Sequence, residues 1–110
     1  MSLSTHVLDT SAGIPAAGVT LKLARGDLTL FSGETDADGR CAGLRTLSIA
    51  AGVYSLRFSV AAYFRARGIA LPDPPFLEVV TIDFGIAEAD AHYHVPLLVS
   101  PFAYSTYRGS

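Results

Sequence analysis

Apolar and polar residues alternate along this chain in short segments, and clusters of Gly, Pro and Asp interrupt them at nearly every boundary. A period of two places successive side chains on opposite faces of a pleated strand, so each segment can bury only one side. Many such segments with turn chemistry between them predict an all-β, antiparallel sandwich or barrel. The expected strands cover residues 3–9, 19–24, 28–35, 41–45, 52–59, 76–84, 92–100 and 103–108. In the second, Val19, Leu21 and Leu23 alternate with Thr20, Lys22 and Ala24; in the fifth, Tyr54, Leu56 and Phe58 share a face. Residues 10–18, with Gly13 and Pro15, read as a loop. The Asp36-Ala37-Asp38-Gly39 cluster has the chemistry of a tight turn, with Arg40 just past it. One stretch changes character: residues 60–67 are rich in Ala and good helix formers, and Gly68 stands where a C′ glycine would close a short helix. Pro72, Pro74 and Pro75 then bar regular structure, and residues 85–91 read as loop.

With 110 residues the chain is expected to form one domain spanning residues 1–110. A net charge of -2, with eight basic residues scattered singly, offers no basic stripe, which argues against nucleic acid. No apolar run approaches the about 20 residues of a membrane span, and Met1 to His6 lack the pattern of a signal peptide. The single cysteine, Cys41, has no internal partner, so a reduced, cytoplasmic setting is expected. Half of the residues are hydrophobic and only 16% are charged. A small monomer has little room to hide that much apolar surface, and a homo-oligomer is the expectation.

Three histidines are present: His6, His92 and His94. His92 and His94, two apart on a strand, point to the same side of the sheet. Taken alone they admit three readings: half-buried rings that satisfy their neighbours, acid–base catalysts, or, with His6, a zinc site of the three-His type. Arg40 is either a solvated turn residue or a guanidinium fork matched to planar oxygens. Arg45, Arg65 and Arg67 read as surface charges. Cys41 is not tied to a histidine by any motif, and Ser110 lacks the strained elbow of a triad serine.

The run His92-Tyr93-His94-Val95-Pro96-Leu97-Leu98, leading to the tail Tyr104-Ser105-Thr106-Tyr107-Arg108-Gly109-Ser110, resembles the signature of the transthyretin-like 5-hydroxyisourate hydrolases. The segment from Val7 to Val19 and the run Thr35-Asp36-Ala37-Asp38-Gly39-Arg40 are similar to that family too. Adhesion and peptidase-associated sandwiches share those two segments, so they bear on architecture alone. The resemblance implies two four-stranded antiparallel sheets with one short helix between the fifth and sixth strands, and a homotetramer with active sites in a channel between dimers. It also implies ring-opening hydrolysis of 5-hydroxyisourate, with His6, Arg40, His94 and Ser110 as catalytic residues and Arg40, Tyr107 and Ser110 touching substrate. No metal and no cofactor are expected. His92 is read as mostly structural, and Arg108 as either structural or substrate-facing. Two positions depart from the family pattern, Ala103 in place of Gly and Leu77 in place of Pro. The competing readings are a small-ligand carrier like transthyretin and a structural or carbohydrate-binding sandwich.

Overall fold

A computed structural model describes residues 2–109. Two four-stranded sheets face each other. The elements are β1 (Ser2–Asp9), β2 (Ile14–Pro15), β3 (Thr20–Arg25), β4 (Leu28–Glu34), a 3₁₀ helix (Ala42–Thr46), β5 (Gly52–Ser59), α1 (Val60–Ala66), β6 (Val79–Ile86), β7 (His92–Ser100) and β8 (Ala103–Thr106). One sheet runs β2-β1-β7-β8 and the other β4-β3-β5-β6. Leu3, Val7, Leu97 and Val99 from the first bury against Leu21, Leu23, Leu56, Phe58 and Val80 from the second. At roughly 1.5–3 kcal/mol for each fully buried large aliphatic or aromatic side chain, this interior supplies the main driving force of the fold.

Burying the odd-numbered residues of β1 and β7 turns Ser4, His6, His92 and His94 onto the opposite, outer face of the same sheet. These two strands pair in parallel, with Ser4 opposite His94 and His6 opposite Pro96. The expectation of wholly antiparallel sheets is corrected here: β1 and β7 are distant in sequence, and nothing in a local alternation pattern reports the direction of such a pairing.

Three further boundaries differ from expectation. Residues 41–45 were expected as a strand but lead into the 3₁₀ helix, because the buried pair Cys41 and Leu44 is spaced by three rather than two. The Thr46 hydroxyl donates to the Gly43 carbonyl at 2.8 Å, tightening that turn. The eighth strand is instead the two-residue β2, inside the expected loop 10–18, paired to Leu8 and Asp9. The strand expected over 76–84 runs Val79–Ile86 because its register is fixed by β5, with Ser59 opposite Val79 and Gly52 opposite Ile86; β5 ends at Ser59, where the chain turns into α1.

The helix closes as its sequence implies. The Gly68 amide donates to the Arg65 carbonyl at 2.9 Å and the Ile69 amide to the Phe64 carbonyl at 3.0 Å, the paired bonds of a Schellman motif. Asp9, only 1% exposed, ties α1 to the end of β1. It accepts from the Tyr63 hydroxyl at 2.8 Å, from Ser11 Oγ at 2.6 Å and from the Ser11 and Ala12 amides, with Arg67 Nε 3.7 Å away. Burial pushes the Asp9 carboxyl up, but these donors together outweigh it and hold it below the ordinary value. The same arrangement, burial first, pushes the Tyr63 hydroxyl up to about 12. Among the described residues, no helix is long and apolar enough to cross a membrane.

Candidate active site

The Asp36–Arg40 turn folds over β1 and delivers Arg40 to His6. Asp36 organises it: its carboxylate accepts from the Asp38 amide at 2.9 Å and the Arg40 amide at 3.0 Å, while its own amide donates to the Arg40 carbonyl at 2.7 Å. Gly39 makes the close approach possible. Its φ is +76°, and a Cβ there would overlap the Val7 carbonyl oxygen. The Val7 amide donates to the Gly39 carbonyl at 2.8 Å, and His6 and Arg40 face each other as an antiparallel bridge.

His6 Nε2 lies 2.8 Å from the Asp38 carbonyl oxygen. A carbonyl only accepts, so in the neutral ring Nε2 carries the proton and Nδ1 presents a lone pair. That is the arrangement of an oriented general base. Arg40 is exposed, and among the described residues its guanidinium forms no ion pair.

His94 lies on the same outer face. Its Nδ1 is 2.7 Å from Ser4 Oγ, which leaves Nε2 as the nitrogen without a hydrogen-bond partner among the described residues. Burial, then the charges of Arg40, His92 and His6, hold the His94 imidazole below its ordinary value, which favours the neutral ring. From its other side the chain's tail closes down: Gly109 forms a bridge with His94, its amide donating to the His94 carbonyl at 2.8 Å.

His92 and His94 share one side as expected, their rings stacked at 6.5 Å with 12° between planes. His92 Nε2 is 3.2 Å from Ser4 Oγ and its Nδ1 is hydrogen-bonded to Ser2 Oγ. The ring nitrogens of the pair are thus directed to serine hydroxyls rather than to one common point.

Arg108 sets its guanidinium 4.1 Å above the Tyr93 ring, with Nη2 donating to the His92 carbonyl at 3.3 Å. Tyr107 is exposed and lines, with Phe84 and Tyr93, a cavity of about 210 Å³ on the β6 and β8 side, separate from the Arg40 cleft. Ser110 lies outside the described residues. Cys41 lines the Arg40 cleft, but burial pushes its thiol up, which disfavours the thiolate a nucleophile needs. Leu77 packs against the core, and Ala103 pairs with Ser100 at the start of β8; neither reaches the histidines.

The cleft beside Arg40, lined by Ser4, Thr5, Asp36 and Arg45, holds about 120 Å³, small against the roughly 300–1,000 Å³ of most small-molecule sites. The larger cavity of about 400 Å³, between Leu23, Leu30, Leu47 and Tyr54, contains none of the candidate residues. Ser4 is the participant that sequence reasoning missed. Its signal was present, two residues before His6 on the same face, but its meeting with His94 depends on the parallel pairing of β1 and β7.

The HIUase/Transthyretin family model matches residues 3–109. The chain is 52% identical to the 5-hydroxyisourate hydrolase of Ralstonia nicotianae, with 98% of this chain and 97% of that one covered. It is 50% identical to the enzyme of the same name from Caulobacter vibrioides, with the same coverage. Among solved structures, the Klebsiella pneumoniae 5-hydroxyisourate hydrolase superposes with a TM-score of 0.87 at 40% identity over all of both chains. Sea bream transthyretin in complex with thyroxine does so with a TM-score of 0.84 at 34% identity, covering 99% of this chain and 95% of that one. The family model, the full-length identities and the superpositions agree, and the chain belongs to the HIUase/Transthyretin family.

Proposed function

We propose that this chain hydrolyses 5-hydroxyisourate, opening its six-membered ring to 2-oxo-4-hydroxy-4-carboxy-5-ureidoimidazoline in urate degradation. The observation that carries the proposal is the bridge between His6 and Arg40 on the same sheet face as His94. Addition of water to a cyclic amide-type carbonyl needs a base, a positive group where the oxyanion develops, and a proton for the departing nitrogen. His6 Nδ1 takes the proton from water. Arg40 binds the substrate carbonyls and stabilises the oxyanion, and His94 Nε2–H protonates the leaving nitrogen. Ser110, next to Gly109, orients water or substrate through its hydroxyl and α-carboxylate, and Tyr107 contributes a substrate contact.

The active form is a homotetramer of single-domain subunits, each one domain over residues 1–110. Two observations support it: the small cleft of the isolated chain, and the edge strand β8, exposed along its whole length, with Phe102, Tyr104 and Tyr107 exposed on or beside it. The free, buried Cys41 fits a reducing cytoplasm. A carrier of apolar ligands is disfavoured by the cationic, histidine-rich character of the face. The test is the ultraviolet decay of 5-hydroxyisourate, freshly generated by urate oxidase, with and without protein.

A further inference from the structure

Between His94 and solvent the structure holds an unbroken line of exchangeable groups. Ser4 Oγ, 8% exposed, sits 2.7 Å from His94 Nδ1 and 3.2 Å from His92 Nε2; His92 Nδ1 in turn meets Ser2 Oγ, and His92 is exposed. A serine hydroxyl has one hydrogen to donate, and a neutral imidazole has one N–H and one lone pair. Two senses of bonding therefore fit. In one, Ser2 donates to His92 Nδ1, His92 Nε2–H to Ser4, and Ser4 to His94 Nδ1, leaving His94 with Nε2–H. In the other, every hydrogen has moved one place and both rings carry Nδ1–H. Ser4 thereby locks the tautomers of the two rings together.

We propose that Ser2, His92, Ser4 and His94 form a proton wire that refills His94 as it acts, with Ser4 as its central positioning residue. The proposal rests on the hydrolase reading above. As the N–H bond of the departing ring nitrogen forms, His94 Nε2–H breaks. The Ser4 O–H proton passes to His94 Nδ1, the His92 Nε2–H proton to Ser4, and the Ser2 O–H proton to His92 Nδ1. Solvent restores Ser2, and the proton taken from water by His6 returns to solvent; both rings then carry Nδ1–H, and the reverse shift, with a solvent proton taken up at His94 Nε2 and one released at Ser2, restores Nε2–H before the next turnover, so charge and atoms balance over the cycle.

The wire answers a specific difficulty. Among the described residues, the charges acting on His94 come from Arg40, from the stacked His92 and from His6, and none is a carboxylate. An imidazolium there is disfavoured by burial and by Arg40, and a concerted shift lets His94 donate a proton without ever holding two.

Ser4→Ala and Ser4→Thr separate this from a packing role. Threonine keeps the hydroxyl and is expected to keep kcat within about 3-fold, whereas alanine lowers kcat by about 10-fold or more with KM little changed, the lower part of the range for acid–base participation. In mixtures of light and heavy water, kcat of the native protein and of Ser4→Thr should follow a bowed proton inventory, and that of Ser4→Ala a straight one. Wild-type kcat in Ser4→Ala, or a bowed inventory that survives the loss of the hydroxyl, would overturn the wire. Imidazole ¹⁵N spectra of the substrate-free protein, with His92→Gln to assign the rings, test it independently of turnover. Neutral His92 and His94 should carry their protons on the same ring position, and opposite positions would contradict the locking even if the hydrolase reading stood.

Discussion

Gly109 lies directly against the His94 imidazole: its amide donates to the His94 carbonyl at 2.8 Å, and a Cβ added to it would run into His94 Cδ2. The Gly109 backbone packs the ring from the tail side. Gly109→Ala should displace either the imidazole or the tail, lowering kcat/KM by about 10-fold, the scale at which small misplacements of reacting groups register, with little change in Tm. Steady-state kinetics and a melting curve on the same preparation check it.

His6→Ala, Arg40→Ala and His94→Ala should each lower kcat/KM by roughly 10²-fold or more, as expected of acid–base and electrostatic groups, while His92→Ala, which interrupts only the line of groups behind His94, lowers it by about 10-fold. Circular dichroism should show the fold intact in all four. Equal losses at His92 and His94 would contradict their division of labour.

The His94 ring should titrate with a midpoint below 6.5, since burial and Arg40 depress it from that value. The sign for stability follows from linkage. An unfolded chain takes up the proton near pH 6.5 and the folded one only at lower pH, so this contribution is full above 6.5, declines as pH falls below it, and is flat once both states are protonated. Following the His94 Cε1–H resonance against pH reads the midpoint, and Arg40→Gln should move it upward by removing the neighbouring positive charge.

Asp9 anchors α1 through Tyr63, and its carboxyl is held below 3.8 in the fold. A depressed carboxyl gives stability that is present above about pH 3.8 and is lost as pH falls through the lower folded value. Tyr63→Phe removes one donor to a buried carboxylate and should cost about 1–3 kcal/mol. Urea unfolding at pH 7 measures this directly, and activity per folded molecule should be unchanged.

How much of this was legible beforehand follows from what alternation can report. The faces of β1 and β7 were readable because period two fixes them once Leu3, Val7, Leu97 and Val99 are taken as core, which put His92 and His94 on one side; that His6 shares it depends on the pairing of β1 with β7, and the resemblance alone pointed there. Gly68 announced the end of α1 because its role is local. The direction of the β1–β7 pair was not readable, being set by sandwich topology, and Ser4 escaped notice for that reason. Residues 41–45 misled because so short a segment holds too few apolar residues for the spacing of three between Cys41 and Leu44 to stand out as a 3₁₀ period. Arg108 stayed ambiguous because its position depends on Tyr93, a residue buried from another strand.

The claim at the centre of the account is that His6, Arg40 and His94 act together on 5-hydroxyisourate. Its most direct test is the initial rate of 5-hydroxyisourate decay, produced in place from urate by urate oxidase, at several concentrations of the native protein and of folded Arg40→Ala. Decay should accelerate in proportion to native protein, and the acceleration should drop by roughly 10²-fold in the variant. Decay at the buffer rate with native protein, or equal acceleration by both proteins, would contradict it.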